Sequence, residues 1–290
     1  MMTNQKLFHG DARNLSFIPS ESIHLVLTSP PYFNLKEYRR GRNQLGLIDN
    51  YQLFVDELEK VWRECYRVLV PGGRIVCVVG DVCLSRRQFG RHVVMPLHSD
   101  IAVSCRKIGF DNLNPILWHK ISNASFEANT NSSILGKPYE PNAIIKNDVE
   151  YILMERKPGG YRKPTDAQRS ASMIDKVDFQ NWFSQIWEIP GASTKNGHPA
   201  PFPLELATRL VKMFSFVGDT VLDPFCGSGT TMIAAINSQR NSICIETEVF
   251  YCDSILSRID KEYGMLKEFE LSYTDLTHEN DSYQTDCVHF

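Results

Sequence analysis

The 290-residue chain lacks any uninterrupted run of about 18 apolar residues, so nothing in it is built to cross a membrane as a helix. Its amino terminus, MMTNQKLFHGD, lacks the charged-then-apolar layout of a secretory signal, and the sequence therefore points to a cytoplasmic protein. Eight cysteines, at 65, 77, 83, 105, 226, 244, 252 and 287, form no CxxC pair and no zinc spacing; they read as buried thiols in a reducing compartment, with no metal site expected. The full GxGxxG of dinucleotide folds and the GK[ST] of phosphate-binding loops are both missing, as is any internal repeat.

What is present is an ordinary globular composition, 42% apolar and 22% charged, in a chain long enough for one large α/β core, or for one core plus a small insert. The net charge is −3, but residues 260–290 carry eight acidic and two basic side chains, and the remainder is net basic. Basic groups cluster at Arg39, Arg40 and Arg42, at Arg86, Arg87 and Arg91, and at Arg156, Lys157, Arg162 and Lys163, a distribution that permits a nucleic-acid partner without requiring one.

Along the chain, Lys6–His9 and Ile23–Leu27 read as strands, the latter a continuous apolar run of the kind buried in parallel sheets. Phe54, Leu58, Val61, Trp62, Cys65 and Leu69 recur at spacings of three and four, which predicts an amphipathic helix stopped by Pro71-Gly72-Gly73. Further strands are expected at 74–80, 115–119, 149–154, 220–223 and 242–245, with helices at 95–108, 204–214 and 230–238. Alternating strands and helices in both halves predict a doubly wound, mainly parallel, Rossmann-like sheet. Residues 33–50 read as a loop over the site, 121–147 and 157–197 as irregular segments, and 260–290 as an acidic, solvated tail.

The stretch Thr28-Ser29-Pro30-Pro31-Tyr32 follows the strand at 23–27, at the point where a parallel strand opens into a crevice. Two consecutive prolines fix two φ angles and remove two backbone donors, leaving a stiff loop rich in acceptors. The Ser29 hydroxyl and the Pro30 carbonyl could accept the hydrogens of an exocyclic amino group on a nucleobase, whose lone pair is otherwise conjugated into the ring. Tyr32 offers a face for an extruded base, a contact worth roughly 1–3 kcal/mol. Taken alone, the motif also fits an ordinary proline turn.

Asp223–Thr231 reads DPFCGSGTT, in which Gly227 and Gly229 allow close backbone approach and Thr230 opens a helix with free N–H groups. Glu246 closes the next strand seventeen residues past Gly229, about where an acidic residue meets ribose hydroxyls. This suits any nucleoside cofactor, nicotinamide included.

Together, TSPPY and DPFCGSGT resemble the amino-methylating DNA methyltransferases that use S-adenosylmethionine, and the order, proline motif first, matches that family's permuted β group. The likeness runs from about residue 6 to 256 and takes in ILWHK at 116–120, VEYILMERK at 149–157 and HPAPFPLELATRLV at 198–211. It implies that Ser29, Pro30, Pro31 and Tyr32 hold the target base. It further implies that Thr28, grouped with the cofactor-binding residues, and Pro31 shape the proline loop, that Asp223, Phe225, Gly227, Gly229 and Thr230 cradle the methionine part of the cofactor, that Glu246 takes the ribose and Asp11 the adenine, and that residues 198–203 close over the methionine end. The implied organisation is a target-base half at 1–120, a recognition insert at 121–197 that includes a core strand at 149–157, a cofactor half at 198–259 and the tail.

The implied reaction is direct displacement on an amino group of a flipped base in double-stranded DNA. Methylation at cytosine carbon 5 would use a cysteine directly after a proline, and no Pro-Cys dipeptide exists. Family members with Ser before Pro-Pro mostly methylate cytosine N4 and those with Asp or Asn mostly adenine N6, so Ser29 implies N4-cytosine, with N6-adenine as the alternative. A non-catalytic DNA-binding subunit and an RNA or protein methyltransferase are the competing classes. A cognate restriction endonuclease is the partner such an enzyme can have, and the chain itself can be a monomer or a dimer.

Overall fold

The computed structural model describes residues 2–33, 44–84, 86–120, 134–135, 141–142, 144–145, 147–191, 202–264 and 268–277. Its main sheet contains β1 (Thr3–His9), β2 (Ile23–Thr28), β3 (Leu69–Val79), β4 (Ile116–His119), β5 (Val149–Arg156), β6 (Ile186–Glu188), β7 (Thr220–Asp223), β8 (Asn241–Glu246) and β9 (Phe269–Asp275). From edge to edge the order is β6-β4-β5-β3-β2-β7-β8-β1-β9, with a tenth, two-residue strand, Asp111–Asn112, pairing β5. β5 is antiparallel to both β3 and β4, while the remaining pairs along that order are parallel. Every strand of that order except β5 therefore ends at the same edge as β2.

Alternation along the central strands explains why helices cover both faces. Val26, Ile75 and Cys77 point to the side where α1 (Tyr51–Val68) and α2 (Leu97–Ile108) bury Phe54, Leu58, Trp62, Ile101 and Cys105. Leu25, Leu27, Val76 and Val78 point to the other side and meet Leu206, Leu210 and Val211 of α3 (Leu204–Phe214) and Ala234 of α4 (Thr230–Asn237). A helix from Val249 to Tyr263, α5, packs Cys252, Ile255 and Ile259 over Leu7, Cys244 and Met232. The amphipathic pattern from Phe54 onward is thus realised in α1, whose first turn is capped by the Asn50 side chain accepting from the Leu53 N–H at 2.9 Å.

β2 and β7, far apart in sequence, are neighbours in space, pairing Leu25 with Val221 and Val26 with Leu222. The chain leaves β2 for α1 on one face and leaves β7 for α4 on the other. This is the switch point of a doubly wound sheet, where the two following loops diverge and a crevice opens between them. The proline loop and the glycine loop are those two loops.

Three readings of the sequence are corrected. Pro71-Gly72-Gly73 lies inside β3 rather than before it, and Gly72, at φ +80°, faces the second such triplet, Pro158-Gly159-Gly160, so closely that an added Cβ would overlap the Gly160 carbonyl oxygen. Residues 157–197 are not simply irregular: helices at Asp166–Ala171 and Lys176–Trp182 precede β6, which joins the main sheet. Neither helix is long enough to show periodicity, although Thr165 and Gln168 form a reciprocal capping box. Finally, the acidic tail begins within α5 and then supplies β9, which pairs with β1 along seven residues. Its charge hides a period of two, in which Phe269, Leu271 and Tyr273 face the core. Residues 278–290 lie outside the described residues, as do Arg39, Arg40, Arg42 and 198–201 of the expected closing segment.

Candidate active site

A cavity of about 750 Å³, counted with its open mouth, occupies the switch point. Ser29, Pro30, Pro31 and Tyr32 form one wall, while Phe225, Gly227 and Glu246 form the opposite one; Asp11 from the end of β1 and Tyr251 from α5 complete it. The two sequence motifs are therefore the two sides of a single pocket.

Thr28, Asp223, Gly229 and Thr230 do not line this cavity. Thr28 and Asp223 join its walls from behind: the buried Thr28 hydroxyl donates to Asp223 Oδ1 at 2.7 Å, across the β2–β7 boundary. Asp223 also accepts from the Thr231 hydroxyl at 2.6 Å and from the Phe225 N–H at 3.1 Å. Burial pushes its carboxyl up to about 6, against the opposing effect of these three donors. Gly229 has φ +75° and starts α4, and an added Cβ would stand 3.0 Å from an Ile255 side-chain carbon, so this glycine lets α5 close over the loop. Thr230 is nearly buried, its hydroxyl 3.3 Å from that of Ser228.

Glu246 faces the cavity in a frame of backbone donors. Its Oε2 accepts from Gly227 N–H at 2.9 Å, and its Oε1 from Thr247 N–H at 2.9 Å and Glu248 N–H at 3.0 Å. A carboxylate has about four acceptor sites, so one remains on Oε2 for a hydroxyl of a bound ligand. Burial pushes this carboxyl up to about 7, and the backbone donors offset part of that rise. Just past the end of the neighbouring strand β1, Asp11 is held by Arg13 through both carboxylate oxygens, at 3.0 Å from Nε to Oδ1 and 2.5 Å from Nη2 to Oδ2. Arg13 is braced in turn by Glu57 of α1 at 2.6 Å. An aromatic wall, a ribose-height acceptor and a fixed carboxylate make the pocket suited to a nucleoside carrying a polar tail.

The opposite wall has its own support. Tyr32 donates its hydroxyl to Glu150 Oε1 at 2.9 Å, and Lys120 pairs with the same oxygen. Lys120 also lies 4.7 Å over the Trp118 ring. Glu150, the second residue of the reversed strand β5, is packed against Gly80, where a Cβ would meet its Cγ at 3.1 Å. Sequence reasoning missed this buttress, along with Tyr251, whereas the turn Gln44-Leu45-Gly46, which also lines the cavity, falls within the loop expected over the site at 33–50, of which 34–43 lie outside the described residues. Tyr251 could have been suspected from its place one turn into the helix after Glu246; Glu150 and Lys120 carried no local signal, because they meet Tyr32 only through sheet order. The Cys226 thiol, beside the glycine loop, is buried and pushed far above its ordinary value, so it is held protonated.

Residues 23–257 match the family described as DNA methylase. The Type II methyltransferase M.MjaI of Methanocaldococcus jannaschii is 43% identical over 278 residues, which cover 85% of this chain and 88% of that protein. The DNA adenine methyltransferase YhdJ of Escherichia coli is 31% identical over 268 residues, 88% of this chain and 82% of its own length. A crystal structure of a Thermus thermophilus protein complexed with S-adenosyl-L-methionine is 50% identical, with a TM-score of 0.78 over 96% of this chain and all of that one.

Proposed function

The chain belongs to the DNA methylase family of S-adenosylmethionine-dependent amino-methyltransferases, and from that premise we propose that it methylates the N4 amino group of cytosine in duplex DNA, on a base extruded into the pocket. The observation that carries the proposal is Ser29, an acceptor on the wall opposite Glu246, placed directly before Pro30-Pro31. When bound, S-adenosylmethionine supplies a methyl group on an electron-poor sulfur.

The protein's own contribution is placement and hydrogen bonding. Glu246 would accept from a ribose hydroxyl, the Asp11–Arg13 pair would border the adenine end, and Phe225 would offer an apolar surface to the methionine part. On the facing wall, the Ser29 hydroxyl oxygen and the Pro30 carbonyl accept the two amino hydrogens. That draws the nitrogen lone pair out of conjugation and points it across the cavity. Tyr32 stacks on the base, and its bond to Glu150 fixes the ring's tilt. The displaced amino proton leaves through the open mouth to water, so no side chain with a perturbed basicity is needed as a base. Recognition of flanking sequence is assigned to residues 121–197, of which Trp182 and Trp187 anchor the described part in the core.

Product identification tests this. Purified protein is incubated with unmethylated duplex DNA and S-adenosylmethionine, and the nucleosides are analysed by mass spectrometry; N4-methylcytosine is expected. The E. coli relative, a DNA adenine methyltransferase, favours a second reading, N6-adenine, in the same pocket. N6-methyladenine as the product would replace the first reading by the second. A protein that binds the cofactor but methylates no base in diverse DNA would overturn both.

A further inference from the structure

The three basic clusters of the sequence have different fates. Arg39, Arg40 and Arg42 lie outside the described residues. In the cluster at 156–163, three of the four cations are used structurally: Arg156 pairs with Asp111 at 2.9 Å, Lys157 with Glu21 at 3.3 Å, and Arg162 with Asp219, while Lys163 is exposed. The cluster also sits at the wrong end, because Arg156 closes the reversed strand β5 and Asp219 precedes β7, both at the sheet edge opposite the pocket.

The third cluster is neither consumed nor remote. β3 ends at Val79, on the pocket edge, and the chain continues through Gly80 and Asp81 into an antiparallel hairpin, Val82–Leu84 with Val93–Met95, bridged by a one-turn helix at Arg86–Phe89. Arg86, Arg87 and Arg91 are exposed on this bridge, and none is paired with a carboxylate among the described residues. The hairpin's root is fixed. Val82 and Leu84 are buried in the same core as Phe33, the residue after Tyr32. Asp81 accepts from the His98 ring at 2.6 Å, and that ring stacks on Tyr151 with centroids 3.7 Å apart. Gly80 packs on Glu150, which holds Tyr32. Three guanidinium groups are thus carried on a braced arm that springs from the support of the base-side wall.

We propose that residues 82–95 form a DNA-backbone grip, with Arg86, Arg87 and Arg91 on phosphates flanking the extruded base. The assignment rests on duplex DNA being the substrate. It places a contact element outside residues 121–197. A guanidinium presents a planar fork to phosphate oxygens, and each phosphate it neutralises releases counterions. The grip therefore has a signature that packing alone lacks, which is the salt dependence of DNA binding.

The test compares the wild type with the triple variant R86A/R87A/R91A on one duplex across a series of salt concentrations. With about 0.9 expected per phosphate contact, the slope of log affinity against log salt should fall by about 2 to 3. S-adenosylmethionine affinity and thermal midpoint should stay at wild-type values, and the triple lysine variant should recover most of the slope. Phe89→Ala, on the same bridge but uncharged, should leave the slope as it is. An alanine variant that is folded and binds cofactor with an unchanged slope overturns the grip while leaving DNA as substrate. A slope lost equally in Phe89→Ala also overturns it, since shape rather than charge would then be responsible. If the wild type binds duplex with no salt dependence, the grip falls while DNA stays the substrate; if it neither binds nor methylates duplex, the grip and the DNA reading fall together.

Discussion

At the scale of single residues, the site works by division between groups that face the cavity and groups that hold them. Tyr32 does the first through its ring and relies on Glu150 for the second. The two functions separate by substitution. Tyr32→Ala removes the stacking surface and should lower kcat/KM on duplex DNA by about 5- to 150-fold, the equivalent of roughly 1–3 kcal/mol. Tyr32→Phe keeps the ring, loses the hydroxyl that donates to Glu150, and should cost less than about tenfold. Steady-state kinetics on one oligonucleotide checks both, and an Ala variant as active as the Phe variant would remove stacking from the account. The facing residues were legible in the sequence because each belongs to a short motif whose chemistry is local: Ser29 and Tyr32 beside two prolines, Phe225 and Gly227 in a glycine turn, Glu246 at a strand end. The holding residues were not. Thr28 and Asp223 sit inside the motifs, yet their mutual bond spans 195 positions, and no periodicity announces that Lys120 and Glu150 will converge on one tyrosine.

Among the elements, β5 is the exception, reversed and flanked by β3 and β4. It also carries Glu155, 2% exposed, whose carboxyl accepts from the Asn112 side chain at 2.6 Å. Burial pushes this carboxyl up to about 7, only partly opposed by the Asn112 bond. A carboxyl whose value is higher in the folded than in the unfolded chain binds its proton more tightly when folded. Its contribution is therefore complete below the ordinary carboxylate range and is lost as pH rises through about 7. Glu155→Gln keeps the shape and the acceptor for Asn112 without the charge. Its thermal midpoint should exceed that of the wild type at about pH 8, with the difference fading toward about pH 5; a variant less stable at the higher pH would contradict the assignment. Elements of strong amphipathic or β-branched pattern, such as α1, β2 and the later part of β3, could be read from sequence. β6 and β9 could not, the first because three residues show no period, the second because its acidic surroundings masked an alternating face.

For the molecule as a whole, the order of the motifs along the chain matters less than the order of the strands in the sheet. β2 and β7 belong to opposite halves of the sequence and become neighbours only in the folded sheet, which is how a proline loop near residue 30 and a glycine loop near residue 227 come to share one cavity. The alternation of strands and helices announced a doubly wound sheet. The adjacency of β2 and β7 depends on pairing across nearly 200 residues, and no local pattern announces it. The central claim is that one wall of this cavity binds the cofactor and the other activates the amino group. Single-turnover methylation of a duplex oligonucleotide by Ser29→Ala, with S-adenosylmethionine affinity measured on the same protein, separates the two walls. Losing a hydrogen-bond acceptor used in the transition state should slow transfer by about 10²- to 10³-fold while cofactor affinity is unchanged. Transfer at the wild-type rate, or cofactor binding lost in step with transfer, would contradict it.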